Sequence, residues 1–502
     1  MRSSLRAAIL AAFLGAGPVF AQDVTLTSRD GSLALSGALQ GYDGEFYRID
    51  TSYGMLTVDG QGVICDGPAC PDLTAPKAVI RIVGAADAGA ALLPPLIAAF
   101  AQARGLVFAL PTDGPALITD PATGKVLAEF SFLAMTPDAA YSEAKAGRAE
   151  LIIAAATEPD FGSRALALDA LIPIMARDNP TPRISTPDLA RALSGEVTNW
   201  AQIGGPDMPL VLHALPADSD LQQALSARLG RDIAASITHP DLASMAVAVA
   251  RDPFALAVTG RASAGTARTL PLTDSCGFPL LPTPLAVKAE DYPLSLPIYL
   301  LTPRRRLPLV AREFLEFLGS PQAETAVAAA GYIDRSATRQ PMTADGLRLI
   351  NAIKGAGAET TLADLQRLAG VMDGADRLSL TFRFEDGSSQ LDAHSQNNLT
   401  DLAAMLEAGM FRDEALILAG FSDGSGAAAT NLDLSGSRAN AVLVALAAAA
   451  PSLPVARLPV VQAFGEALPM ACDTTAPGRR LNRRVELWLK PAFNAATDIP
   501  SP

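Results

Sequence analysis

Residues 22–75 carry short runs in which apolar and polar positions alternate: Val24-Thr25-Leu26-Thr27, Leu33-Ala34-Leu35-Ser36, Phe46-Tyr47-Arg48-Ile49 and Met55-Leu56-Thr57-Val58. Arg29-Asp30-Gly31, Tyr42-Asp43-Gly44 and Asp59-Gly60 separate them. A period of two buries one face of each run, so this stretch predicts a small β module of about four strands. From Pro76 the texture changes. Ala78–Val83 is a continuous apolar run, Gly84-Ala85-Ala86-Asp87 is a turn, and Leu92–Ala101 has helical spacing. Pro94 and Pro95 fit such a helix only in its first turn. Leu151–Ala155 and Leu171–Ala176 predict further short strands, the second interrupted by Pro173. Strands alternating with helices indicate an α/β architecture. Farther on, Leu347–Ile353 and Leu362–Val371 are helical pieces bounded by glycines, read as a helical linker over 341–375. The last part, 376–491, alternates strands (Leu378–Phe384, Ala415–Phe421, Pro459–Phe464, Val485–Lys490) with helices (Leu391–Leu406, Asn431–Ala448), and 492–502 is a tail.

With 502 residues, 49% of them apolar and 18% charged, the chain is long enough for several buried cores. A net charge of −13 argues against a nucleic-acid partner or an anionic membrane held by bulk electrostatics. At the start, Arg2 and Arg6 precede an apolar run from Ala7 to Leu14, and Val19-Phe20-Ala21 has the small-x-small shape of a cleavage site. The run falls short of the ~20 residues a membrane span needs. Residues 1–21 are therefore expected to be a signal peptide removed on export. No later stretch reads as a span. The first of the four cysteines is Cys65, so no lipid-modified N-terminal cysteine is expected. In an exported chain Cys65 and Cys70, around Gly67-Pro68, are expected to close a disulfide; Cys276 and Cys472 either pair or stay free.

The segment Ile184–Gly205 (ISTPDLARALSGEVTNWAQIGG) holds a capped helix start, Gly195, Trp200 and a Gly-Gly turn. With Val83–Ala101, Asp291–Pro303 and Glu313–Arg335 it resembles the phosphate-type substrate-binding proteins of ABC transporters. The resemblance implies two α/β lobes over 76–340 with a ligand in the cleft between them, and raises an ABC permease as a partner. Phosphate in that family is held by hydroxyls, helix N-termini and an arginine. The corresponding turns here supply Ala85 and Asp87, then Thr157, then Asp218, Ser219 and Asp220. Only Thr157 and Ser219 are neutral donors. A carboxylate repels an oxyanion at ~4 Å by on the order of 4 kcal/mol at an effective dielectric near 20. Phosphate, a cationic or zwitterionic solute, or no ligand all remain open.

Gly420–Ala439 (GFSDGSGAAATNLDLSGSRA) follows an apolar run and places Asp423 fifteen residues before Arg438. With Phe464–Pro469 (FGEALP) and Leu481–Leu489 (LNRRVELWL) it resembles the OmpA-like peptidoglycan-binding domain over that domain's full length. The resemblance implies that Asp423 and Arg438 clamp diaminopimelate of the stem peptide. The carboxylate would accept from the ammonium, and the guanidinium fork would pair with the carboxylate. Asn431 adds a hydrogen bond, and Asn482 and Arg484 flank the same end of the sheet.

His213, His239 and His394 are scattered without metal spacing, Thr123-Gly124-Lys125 lacks the rest of a phosphate-binding loop, and no nucleophile elbow occurs. No catalytic residue, metal or cofactor is expected. The fold expectation is a multidomain α/β and α+β chain: a small N-terminal β module, a two-lobed periplasmic-binding-protein-like domain, and a C-terminal OmpA-like βαβαβ domain. The functional expectation is a non-enzymatic periplasmic protein, anchored to peptidoglycan on the outer-membrane side of the envelope and carrying a phosphate-receptor-like module. An active phosphate receptor is the alternative.

Overall fold

The computed structural model describes residues 24–491 apart from 43–44, 68, 71–76, 357–358, 386–387 and 389. The expected signal peptide and the tail lie outside the described residues.

The alternating runs at the start form an antiparallel sheet of five strands, one more than expected. The extra strand, Val63–Asp66, pairs with Val24–Ser28 and carries Cys65, which is bonded to Cys70. Its four residues are too few for alternation to register. Val24, Leu26, Tyr47 and Ile49 form the module's small core, and both cysteines pack against it.

One sheet runs through both lobes of the next domain. Ala78–Gly84, Val126–Ala134 and Leu151–Ala154 lie in one lobe; Val211–Ala214 and Ala255–Gly260 lie in the other. The antiparallel pair Phe161–Met175 and Ser295–Pro303 joins them. Pro173 lies within the first of these strands rather than ending it, and its carbonyl still accepts from the Leu270 N–H. The helix after Gly84 begins at Ala86 and ends at Ala103, so Pro94 and Pro95 are in its interior and not in its first turn. Burial of Leu92, Leu93, Leu96, Ile97 and Phe100 offsets the roughly 3 kcal/mol a proline costs there. By length and composition alone this helix could cross a membrane, although no stretch after the first was expected to be long and apolar enough; those five side chains fill the core. Gly84 has φ +123°, and a Cβ on it would lie 2.0 Å from the Ile153 carbonyl oxygen, so the strand-to-helix turn requires glycine.

The C-terminal sheet has the order Arg339–Pro341, Asp376–Phe382, Arg484–Pro491, Glu414–Phe421, Val460–Ala463. Helices Ala393–Glu407 and Ala428–Ala449 cover one face. Helices Gly346–Gly355 and Leu362–Met372, expected as a linker, cover the other: Ala352, Leu368 and Met372 pack on Ile417, Phe421 and Trp488. The segment belongs to this domain, whose sheet begins at Arg339. Because both faces are covered, Arg484–Leu489 is buried throughout.

The domain docks on the strand pair that joins the two lobes. Arg377 forms a bidentate pair with Asp291 at 2.6 and 3.1 Å, and Arg335 pairs with Asp401. Asn397 Oδ1 accepts the Ala165 N–H at 3.0 Å, where the joining strands carry a register shift. Cys276 and Cys472 are bonded, which ties the second lobe to the loop before Asp473.

Candidate functional site

Two places bring the singled-out residues together. The first is the end of the C-terminal sheet. The strand Glu414–Phe421 runs out into Ser422-Asp423-Gly424, and helix Ala428–Ala449 returns past it. Strand and helix approach closely at Gly420, where a Cβ would lie 2.1 Å from the Ser435 carbonyl oxygen. Gly420→Ala is therefore expected to destabilise the domain by about 1–3 kcal/mol, read as a lowered melting temperature.

Asp423 is mostly buried, accepts the Ser425 N–H at 3.0 Å through Oδ1, and receives Arg483 Nη1 at 3.0 Å on Oδ2. Arg438 is half-buried and has no hydrogen bond or ion pair among the described residues. Burial and the neighbouring Arg483 lower its pKa, while Asp423 acts in the opposite direction. The acid and the base thus lie close enough to act on each other electrostatically without forming an ion pair. Asn431, in the same helix as Arg438, is buried, and its Nδ2 lacks a partner among the described residues.

Asn482 is fully buried and holds the neighbouring loop: its Oδ1 accepts from Met470 N and Ala471 N, and its Nδ2 donates to Asp473 Oδ1 at 2.6 Å. Asp473 Oδ2 in turn accepts the Gly424 N–H at 2.7 Å. Arg484 lies beside Phe421 at that end of the sheet, but its side chain turns inward. It is fully buried over the Phe421 ring and donates to Glu486 and to the Leu468 carbonyl. Arg483, for which no role was expected, supplies the guanidinium that donates to Asp423. Glu466 sits nearby with its pKa raised by burial and by Glu359, Asp473 and Asp423.

The second place is the cleft between the lobes, a cavity of about 300 Å³ lined by Ala85, Asp87, Asp218, Ser219 and Asp220, together with Asp169 and Tyr332. Thr157 is exposed and does not line it. Asp220 crosses from one lobe to the other, and its two carboxylate oxygens accept the Ala155 N–H at 3.1 and 2.9 Å. Asp87 extends the opposite way to the Leu242 N–H, with its pKa raised by burial and by Asp241. Burial pushes both Asp169 and Asp220 up to about 6.

A raised carboxyl favours the protonated folded state. Asp220 therefore costs the fold stability above about pH 6, and that cost disappears below its ordinary value of 3.8. Asp220→Asn is expected to raise the melting temperature at pH 7.5, by on the order of 1–3 kcal/mol of stability, and to lose most of that advantage at pH 4. His213 and His239, far apart in the chain, are stacked and share a 2.9 Å hydrogen bond. No group of three or more His, Cys, Asp or Glu side chains suited to a metal ion occurs among the described residues.

Residues 76–322 match the model of the PBP superfamily domain, and residues 383–483 match that of the OmpA family. A curated relative, "Probable lipoprotein YiaD" of Escherichia coli K12, is 33% identical over 108 residues, 22% of this chain. The chain spans about half the length of that relative, 47%. Among solved structures, an ABC-type phosphate transport receptor from Vibrio cholerae aligns at 19% identity and TM-score 0.40, over 51% of this chain and 99% of its own. PstS from Borrelia burgdorferi aligns at 15% identity and TM-score 0.36, over 51% and 99% respectively. The chain thus joins a PBP superfamily domain to a C-terminal OmpA family domain.

Proposed function

We propose that this is a non-enzymatic protein of the cell envelope, exported to the periplasm and held on peptidoglycan by its OmpA family domain, with a solute-binding module carried on that anchor. The observation that carries the reading is the pair Asp423 and Arg438. The carboxylate and the guanidinium stand near enough at the end of the sheet to act on each other electrostatically, and among the described residues the arginine has no hydrogen bond or ion pair of its own. That arrangement complements a ligand end that bears both an ammonium and a carboxylate, as diaminopimelate of the stem peptide does. Arg483 holds the Asp423 carboxylate in place until an ammonium takes its share of the oxygens. Asn482 and Asp473 fix the loop on the far side and act as positioning residues. Co-sedimentation of the full chain with purified sacculi, with and without free diaminopimelate as competitor, tests the reading: competitor-sensitive binding supports it, and no binding contradicts it.

The solute module is supported by the PBP superfamily match and the cavity between its lobes. Delivery of phosphate to an ABC permease is the less favoured reading. The Ala155 N–H, a donor of the kind an oxyanion needs, is already taken by Asp220.

A further inference from the structure

Each lobe of the cleft sends an aspartate to a backbone N–H of the other. Asp220 occupies the N–H of Ala155, and Asp87 lies against that of Leu242. These carboxylates stand where a bound oxyanion would stand, so the protein satisfies its own anion-binding groups. Asp169 adds a third carboxylate to the wall; it is 3% exposed and is held by the Ala170 N–H at 2.8 Å. Among the described residues lining the cavity none is basic. The nearest guanidiniums are engaged by backbone carbonyls, although each still acts on its aspartate electrostatically. Arg228 donates to the carbonyls of Ser295 and Ala224 behind Asp220, and Arg261 donates to that of Gly331 beside Asp169.

A second observation is independent of this charge. Tyr332 lines the cavity, is only 8% exposed, and its hydroxyl makes no hydrogen bond among the described residues. The buried hydroxyl without a partner is Ser219 Oγ, which also lines the cavity, and such a group calls for a polar group in the space it borders. Phosphate does not fit that group of side chains; a group with several N–H donors and a positive charge does.

We propose that the cleft binds a small solute carrying a primary ammonium group, held by Asp87, Asp169 and Asp220 with the Tyr332 hydroxyl as an additional acceptor. The proposal rests on the solute-binding reading above and names its ligand class. An ammonium has three N–H donors and no acceptor, matching carboxylates that already spend part of their capacity on backbone donors. A cation also keeps buried carboxylates ionised, which explains how three of them are tolerated in one apolar-walled cavity. The raised pKa values of Asp169 and Asp220 agree with a site whose charge is completed by its ligand.

The test is calorimetric titration of the full mature chain at pH 7.5 with ethanolamine, putrescine and lysine as amine probes and with inorganic phosphate as the opposing probe. At least one amine is expected to bind at one site per chain, with no heat from phosphate. Asp220→Asn is expected to weaken amine binding at least about tenfold, as loss of a charge-assisted bond does. Tyr332→Phe, which keeps the ring and the packing, is expected to weaken it several-fold. Phosphate binding without amine binding overturns the ligand class and leaves the solute-binding reading standing. Silence from every probe overturns both. Amine binding that survives Asp220→Asn and Tyr332→Phe unchanged overturns the assignment to this cleft.

Discussion

Asp423→Ala and Arg438→Ala are each expected to reduce binding of the full chain to purified sacculi by at least about tenfold. A charge-assisted hydrogen bond contributes roughly 1.5–3 kcal/mol, and about 1.4 kcal/mol is a factor of ten. The two losses have different structural consequences. Without Asp423, Arg483 loses the carboxylate it donates to at 3.0 Å, and two guanidiniums then face the open end of the sheet. Ammonium recognition becomes repulsive as well as unpaired. Without Arg438, no hydrogen bond or ion pair of the protein is broken among the described residues. Arg438→Ala should therefore fold and melt like the parent while failing to bind, which separates a ligand-contacting role from a structural one. Arg438→Lys is expected to restore little, because a point charge does not reproduce the two parallel bonds of a guanidinium fork.

The largest stability effect is expected at Glu486. This fully buried carboxylate accepts from Arg348 and Arg484 at 2.6 Å each and from Trp488 Nε1 at 3.0 Å, with Arg377 at 3.4 Å. Arg377 continues the chain of charges to Asp291 in the neighbouring domain. Burial by itself would raise the Glu486 carboxyl, yet Arg348, Arg377 and Arg484 hold it well below the usual carboxylate range. Its contribution to stability is accordingly complete above an ordinary glutamate's pKa and is lost only as pH falls through the depressed folded value. Glu486→Ala leaves three buried guanidiniums short of a partner, and breaking a buried network of this kind costs about 3–5 kcal/mol. Chemical denaturation at pH 7 should show the loss. Because Arg377 also bonds Asp291, the melting of the two domains is expected to separate in the variant.

Glu486 also explains where the sequence was misleading. A strand of charged and apolar residues in alternation normally turns its charges to water, whereas the place of Arg484 was expected from the resemblance alone. Neither shows that both faces of the sheet are covered. Helices Gly346–Gly355 and Leu362–Met372, expected as a helical linker, lie on the second face and put Arg484, Glu486 and Trp488 inside. Arg483, one residue earlier and before the strand begins, points to Asp423 instead. The elements whose side-chain pattern follows from their own burial were legible: the continuous apolar run of Ala78–Gly84, the helix ending the Gly420–Ala439 stretch, the alternation of the N-terminal module. What depended on partners distant in sequence was not. Thr157 had the right chemistry for a cleft donor, but Asp220 takes the Ala155 N–H just before it and the loop turns outward. Asp169 and Tyr332, which complete the cleft, were not singled out. Asp169 was marked only as an aspartate within the apolar run Ala165–Met175, and Tyr332 lies in the Glu313–Arg335 stretch without a polar pattern that points to the cleft.

The central claim is recognition of a ligand end bearing an ammonium and a carboxylate together. Its most direct test is a comparison of the full chain's affinity for diaminopimelate-containing sacculi and for peptidoglycan with lysine at the same stem position. Lysine presents the ammonium there without the carboxylate, so Arg438 would be left without its counter-charge. At least about tenfold weaker binding to the lysine material is expected, with the preference abolished in Arg438→Ala. Equal affinity for the two materials, or a preference that persists in Arg438→Ala, would contradict the account.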